Sequence, residues 1–347
     1  MTLYNKLDKE ILKAHLAQED FERITLSFYQ YAHIKEVELF RDDLYQDWAM
    51  LKVLGRVYVS NEGINAQISV PEHHFEAFKT ALYAIPFLNE IRLNLAIEDD
   101  SKSFYKLKIK VRKKIVADGL NDDTFDVTDR GVHLNAQHFN ELVSDENTVL
   151  VDMRNHYESE VGHFKGAICP DVDTFRDALP LVEDMLADKK DKNIVMYCTG
   201  GIRCEKASAY YKHKGFENVF QLEGGIIEYA RQVKKQGLEN KFVGKNFVFD
   251  DRLGERISNE IISQCHQCSA PCDTHTNCAN DACHLLFIQC TACAEKYEGC
   301  CTADCKDFNH LPEEEQANLR KGIDKGIQIY RKARNERLRP KLNQIKS

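Results

Sequence analysis

The stretch Cys198-Thr199-Gly200-Gly201-Ile202-Arg203 constrains this chain more than any other. An apolar run suited to a buried strand, Ile194-Val195-Met196-Tyr197, leads into it, and a helix-forming run from Glu205 to Lys214 leads out. A cysteine at the carboxyl end of a strand, a short glycine loop and a helix N-terminus make an anion cradle. The loop N–H groups and the positive end of the helix, roughly +0.5 charge, converge on the cysteine. Arg203 adds a full charge and a planar fork of donors. Such a thiol is depressed from ~8.5 into the range of about 3.5–7.5 and is nucleophilic at neutral pH. A lone cysteine at a strand end is ordinarily a small apolar group. Two glycines and an arginine within five residues favour the reactive reading.

With 347 residues the chain has room for two or three domains, and 43% hydrophobic with 29% charged residues is a soluble, globular balance. Its apolar runs fall far short of a membrane span, and the first residues lack the apolar core of a signal peptide. A cytoplasmic location is therefore expected. The 13 cysteines are then reduced, which favours metal binding or catalysis over disulfides. A formal net charge of −8 excludes a uniformly basic nucleic-acid binder, so contact with a polyanion must come from local patches.

Residues 1–20 read as a short amphipathic helix. Residues 21–118 read as strand (Ile24 to Tyr29), helix (Asp42 to Leu54), two strands around the Asn61-Glu62-Gly63 turn, helix (Pro71 to Ala84) and last strand (Lys106 to Val116). The order β-α-β-β-α-β is the ferredoxin-like split unit. In the last strand Lys106, Lys108, Lys110, Arg112 and Lys114 recur at every second position, with Leu107, Ile109 and Val111 between them. A period of two puts five cations on one face. This row reads as a phosphate-binding face, or as a solvated sheet face. Five like charges without an interleaved acid favour the first, whose affinity falls steeply with salt.

Residues 119–133 form an Asp- and Gly-containing linker. From 134 to 240 strands alternate with helices, the pattern of a parallel sheet whose active sites lie beyond the strand carboxyl ends. Asp152-Met-Arg154-Asn-His-Tyr-Glu158 is followed by Gly162-His163-Phe-Lys-Gly166-Ala167, then by the cysteine loop, then by Leu222-Glu-Gly224-Gly225-Ile226. On these stretches the region resembles the rhodanese domain. In that family the counterpart of Cys198 carries a transferable persulfide sulfur, within a six-residue loop like this one. The related dual-specificity phosphatases use a loop one residue longer, which sets a phosphatase aside. Asp152, Arg154, Glu158 and His163 read as fold-holding. Cys204 reads as a buried helix cysteine or as a resolving thiol.

Residues 241–347 open with a hairpin around Phe247 to Arg256. Ten of the 13 cysteines follow between 265 and 305. Cys265-x2-Cys268 and Cys290-x2-Cys293 have a zinc-ribbon spacing, because a two-residue gap lets both thiolates of a pair face one tetrahedral ion. Cys272, Cys278, Cys283, His284, Cys300, Cys301 and Cys305 remain for a second ion. Structural zinc is the leading reading, with iron–sulfur ligation and metal-free packed thiols as alternatives. The chain ends basic (Arg331, Lys332, Arg334, Arg337, Arg339, Lys341, Lys346), which suits a polyanion or a solvated tail.

The expected fold is therefore α/β: a rhodanese-like parallel-sheet domain, preceded by a ferredoxin-like (acylphosphatase-like) α+β domain and followed by a small Cys-rich segment. In this order the chain resembles the bacterial tRNA uridine hydroxylase family. The stretches that carry the resemblance are Gly55 to Gln67, Lys106 to Arg112, Asp152 to Glu158, Tyr197 to Ser208 and Cys265-His-Gln-Cys268. The resemblance implies oxygen-dependent conversion of the wobble uridine of certain tRNAs (position 34) to 5-hydroxyuridine. It implies tRNA as substrate, molecular oxygen as co-substrate, and Cys198 with Arg203 as the reactive pair. The residues carry no flavin or nicotinamide fingerprint that would name the reductant. Two other functions stand beside it: a sulfurtransferase moving persulfide sulfur to an acceptor, and a non-enzymatic RNA-binding zinc scaffold. A plain sulfurtransferase needs neither the basic strand nor the cysteine cluster, and a scaffold needs no intact cysteine loop.

Overall fold

A computed structural model describes residues 8–96, 103–120, 125–127, 129–250, 252–321 and 328–329. The basic tail from Arg331 onward lies outside them. After α1 (Lys9–Ala17), capped by the Asp8 side chain, the first domain runs β1 (Arg23–Tyr31), α2 (Val37–Met50), β2 (Leu54–Ser60), β3 (Gly63–Pro71), α3 (Phe75–Tyr83), β4 (Asn94–Leu95) and β5 (Leu107–Val111). The sheet order is β4-β1-β3-β2-β5. One face is apolar: Leu26, Phe28, Val57, Val59, Ile64, Ala66 and Ile68 pack against Trp48 of α2 and Phe78 and Leu82 of α3, all buried. The period of two puts the polar residues of the same strands on the opposite face.

Four sequence expectations change here. The fourth strand of the split unit is the two-residue β4, antiparallel to β1, too short to register as a period-two pattern. The basic strand is a fifth one, shorter than expected, added parallel to β2 at the far edge. Charged side chains on an edge strand discourage further strand pairing, so the position suits the composition. Helix α2 begins at Val37, not Asp42, and buries Val37, Leu44 and Trp48 at helical spacing. Pro71 ends β3 rather than opening a helix; its missing N–H is tolerated at a strand end, and a single 3-10 turn, Glu72–His74, precedes α3.

The central domain comprises β6 (Val132–Leu134), α4 (Ala136–Leu142), β7 (Thr148–Asp152), α5 (His156–Ser159), β8 (Gly162–Phe164), α6 (Phe175–Met185), β9 (Asn193–Tyr197), α7 (Ile202–His213), β10 (Asn218–Leu222) and α8 (Gly225–Gln236). Strands β6-β10-β9-β7 form a parallel sheet. In the central strand β9 the run Ile194, Val195, Met196 and Tyr197 is apolar and fully buried, as both faces are covered by helices.

The last region starts with β11 (Phe242–Asn246), which pairs with β8 on one side and with β12 (Glu255–Arg256) on the other. The expected hairpin is present, but residues 247–250 and 252–254 belong to its loop rather than to its first strand. There Arg252 is held by Asp250 and Glu255. Strands β13 (His275–Asn277) and β14 (Leu286–Ile288) pair, and α9 (Thr291–Tyr297), α10 (Ala303–Asn309) and α11 (Glu313–Arg320) complete the module. Among the described residues no helix is long and apolar enough to cross a membrane.

Candidate active site

Cys198 follows β9 directly, and Gly201 caps α7 with a left-handed backbone (φ 97°). A side chain at Gly201 would be strained, and its Cβ would lie 2.8 Å from the Tyr29 hydroxyl. The Gly201 N–H donates to Cys198 Sγ at 3.1 Å. From the next crossover, the N–H groups of Ile226 and Ile227 hold the Cys198 and Thr199 carbonyls. Gly225 lets that turn approach, since a Cβ there would fall 2.5 Å from the Cys198 carbonyl oxygen. Burial alone would push the Cys198 thiol up. The hydrogen bond from Cys204, the Arg203 charge and the N–H groups of Arg203 and Cys204 outweigh it and bring the thiol down to about 6. Cys204 is itself fully buried; burial and its bond to Cys198 hold it well above the ordinary thiol range. It is therefore the S–H donor of the pair.

Arg203 is not a free donor in the cradle. Its guanidinium is clamped by Glu158, at 2.6 and 2.8 Å, and lies 3.4 Å from Thr199 Oγ1. Glu158 is fully buried. Arg203 thus acts on Cys198 as a fixed charge. Asp152 and Arg154 form a second, fully buried pair, and Arg154 also donates to the Gly162 carbonyl at 2.6 Å. His163 Nδ1 lies 2.8 Å from the Ser159 carbonyl. The four motif side chains thus all have structural partners, and Glu158 among them braces the cysteine loop through Arg203 and Thr199.

Cys198, Thr199, Gly200, Ile202 and Arg203 line a cavity of about 450 Å³. Its opposite wall is the polar face of the first domain's sheet: Ser27, Tyr29, Arg56, Tyr58, Asn65, Gln67 and Asn94. The third region closes the side with Phe249 and Arg252. All three regions therefore meet over one thiol. The contact is held by Tyr29 on Glu205 (3.1 Å) and by Arg92 on Glu223 (2.5 Å). A fully buried Lys206 bridges Glu62 at 2.9 Å and Asp118 at 3.0 Å.

Of the expected basic row, Lys108, Lys110 and Arg112 are exposed and Lys106 is half-buried. Arg112 stands over the Tyr58 ring at 5.6 Å, on the cavity side of the sheet. Lys114 departs from the row: it lies past β5, turned onto Asp118 (2.7 Å) and the Leu120 carbonyl. Arg56, which the sequence reading passed over, joins instead. It lies directly across from Lys108 in the register. Burial, then the charges of Lys106, Lys110 and Arg56, pull the Lys108 ammonium below its ordinary range, the signature of crowded cations. The cavity-facing Asn65 and Gln67 were also missed. Their signal was present: polar amides alternating with Ile64, Ala66 and Ile68 in a strand with one buried face.

Cys265, Cys268, Cys290 and Cys293 converge, with all four sulfurs within 4.8 Å of one another, and Cys278, Cys283, Cys301 and Cys305 do the same. Neighbouring sulfurs stand 3.6–3.7 Å apart. A zinc ion with Zn–S bonds of ~2.3 Å needs a tetrahedral edge of about 3.8 Å. Both clusters therefore fit one tetrahedral metal ion each. Gln267, between the first pair, donates to the Cys300 and Cys301 carbonyls at 3.0 Å and ties the clusters together.

Comparison with known proteins agrees with this division. Residues 23–115 match the UPF0176 acylphosphatase like domain, 135–232 the Rhodanese-like domain and 243–306 the Rhodanase C-terminal family. The Rhodanese-like domain from an Anabaena protein aligns with 32% of this chain and 78% of its own, at 20% identity and a TM-score of 0.26, too slight to carry an argument. A protein from Yersinia pestis named tRNA uridine(34) hydroxylase is 57% identical over 96% of this chain and 94% of its own length. One of the same name from Pectobacterium atrosepticum is 58% identical over the same shares. With identity of that order over 96% of its length, the chain belongs to the tRNA uridine(34) hydroxylase family.

Proposed function

We propose that this protein hydroxylates carbon 5 of the wobble uridine of tRNA, with Cys198 as the reactive thiol. The observation that carries the reading is the cavity itself. Its floor is a thiol brought down to about 6, and its wall is a sheet face that continues outward into Arg56, Lys108 and Lys110. A sulfur-transfer domain acting on a small donor has no use for such a wall. The names of the relatives supply the substrate and the position modified.

In this reading the Cys198 thiolate adds to carbon 6 of the uracil ring, and the electron pair moves to carbon 5 and O4. Carbon 5 takes one oxygen atom from an oxidant derived from molecular oxygen. Loss of the carbon 5 proton and departure of the thiolate then restore the ring. The second oxygen atom leaves as water, which requires two electrons and two protons from a reductant. Arg203, fixed by Glu158, keeps the thiolate charged before addition and after release. Cys265, Cys268, Cys290 and Cys293, and Cys278, Cys283, Cys301 and Cys305, would each hold one zinc ion, whose role would be structural, bracing the region that contributes Phe249 and Arg252 to the cavity.

The test is nucleoside analysis of tRNA from cells whose only copy carries Cys198→Ala. Loss of 5-hydroxyuridine and its derivatives is expected, on the order of a thousandfold or more for a covalent nucleophile. Unchanged 5-hydroxyuridine would remove the thiol from the chemistry. Loss of thiolated nucleosides instead would favour a persulfide on Cys198, the state that the six-residue loop accommodates in rhodaneses.

A further inference from the structure

The strand register draws a single line across the first domain's sheet. Lys108 lies beside Arg56, Arg56 opposite Gln67, Gln67 opposite Ser27, and Ser27 opposite Asn94. The line starts at the exposed basic edge and ends above the cysteine loop. A Cβ built on Gly200 would lie 3.8 Å from Asn94 Nδ2. At ~4.8 Å per strand, Lys108 and Asn94 are about 19 Å apart, a few nucleotides of single-stranded RNA. A parallel line, Lys110, Tyr58, Asn65 and Tyr29, supplies two aromatic rings along the way. Cations at one end, rings and amides between them, and a cavity at the other end are the parts of a single-strand binding path.

Asn94 is the unusual member. It is 3% exposed, lines the cavity, and its Oδ1 is fully buried with no hydrogen-bond partner. A buried carboxamide oxygen without a donor is rare, and it points to a ligand that brings one. Uracil carries such a donor, N3–H, beside acceptors O4 and O2. A carboxamide, with one acceptor and two donors, can meet that edge in bidentate fashion. A carboxylate in its place would repel O4.

We infer that Asn94 holds the uracil ring by accepting its N3–H, with the RNA strand running back along the line to Arg56 and Lys108. This rests on the reading of the chain as a uridine-modifying enzyme and adds a positioning contact outside the rhodanese domain. The contact fixes the ring's imide edge on the sheet and leaves the carbon 5–carbon 6 bond for Cys198.

The test uses the full-length protein and an anticodon stem-loop with either uridine or 3-methyluridine at position 34, because the methyl group removes the N3–H. For the unaltered protein, methylation is expected to weaken equilibrium binding about tenfold, a loss typical of one buried hydrogen bond. Asn94→Ala is expected to weaken binding of the uridine loop by a similar factor and to be indifferent to methylation, within about twofold. The inference is overturned if the unaltered protein does not distinguish the two loops, or if the losses multiply in the variant. Because the methylation arm needs no variant, a poorly folded Asn94→Ala cannot mask the answer; Asn94→Ser serves as the second substitution. If Cys198→Ala abolishes 5-hydroxyuridine while Asn94→Ala changes neither binding nor modification, only this inference fails. If the protein binds neither loop, the uridine reading fails with it.

Discussion

Cys198 and the eight clustered cysteines carry the same side chain and are made useful in opposite ways. Cys198 is a single sulfur met by N–H groups, an S–H and one fixed cation, all supplied by the loop and helix that follow it. The clustered sulfurs meet mainly one another at 3.6–3.7 Å, a spacing that makes sense around a cation. In the first case the protein supplies the positive field, so the thiolate stays available for chemistry. In the second an ion would supply it, and every thiolate would be used up in coordination. What decides a cysteine's role is the source of the charge that opposes it.

The largest effect expected from breaking this contrast lies in the clusters. Replacing Cys293 or Cys305 with serine should remove one bound metal equivalent each and unfold the surrounding module. The loss is several kcal/mol, given the ~10–16 kcal/mol associated with a structural zinc. Metal content and limited proteolysis measure it, and a variant with full stability and no metal to lose would make the clusters packed thiols only. Next comes Glu158→Gln, which leaves the buried Arg203 charge without its carboxylate and should cost about 3–5 kcal/mol in thermal or denaturant unfolding.

A smaller effect concerns the charge on Cys198. Its alkylation rate should rise with pH through a midpoint of about 6 and level off above 7. Arg203→Gln should move the midpoint up towards the ordinary thiol range. Because the folded value is depressed, the ionised thiol adds stability at pH values above the ordinary thiol pKa. That contribution shrinks as pH falls and is gone once pH has dropped through about 6. A midpoint that ignores Arg203 would mean that the Cys204 S–H and the N–H groups set the thiolate without it. The smallest effect separates the row from its outlier. Lys108→Ala with Lys110→Ala should lower the slope of log affinity for tRNA against log salt by about 1.4–1.8. Lys114→Ala, already paired with Asp118, should leave that slope unchanged.

The reactive loop was legible because its signal is local: a strand, two glycines, an arginine and a helix adjoin in sequence, and hydrogen bonds within a few residues do the rest. The alternation of strands and helices in the central domain was legible for the same reason, while the two Cys-x2-Cys spacings showed that a metal could be held without showing which pairs would share it. Lys114 was misplaced because a period-two pattern cannot show where a strand stops. Strand β5 ends at Val111, and an aspartate four residues beyond Lys114 captures the ammonium.

Taken alone, the sequence determined the alternating strands and helices of the central domain, the loop that follows its cysteine-bearing strand, and the Cys-x2-Cys spacings suited to an ion, since each follows from spacing along the chain. Only the tertiary structure decided that a two-residue strand completes the first sheet, that Cys278, Cys283, Cys301 and Cys305 form the second cluster, and that the polar face of that sheet roofs Cys198. Those outcomes depend on pairings between residues far apart in sequence, as between Tyr29 and Glu205 or Lys206 and Glu62. No local pattern records such a pairing, because each partner on its own is an ordinary polar side chain.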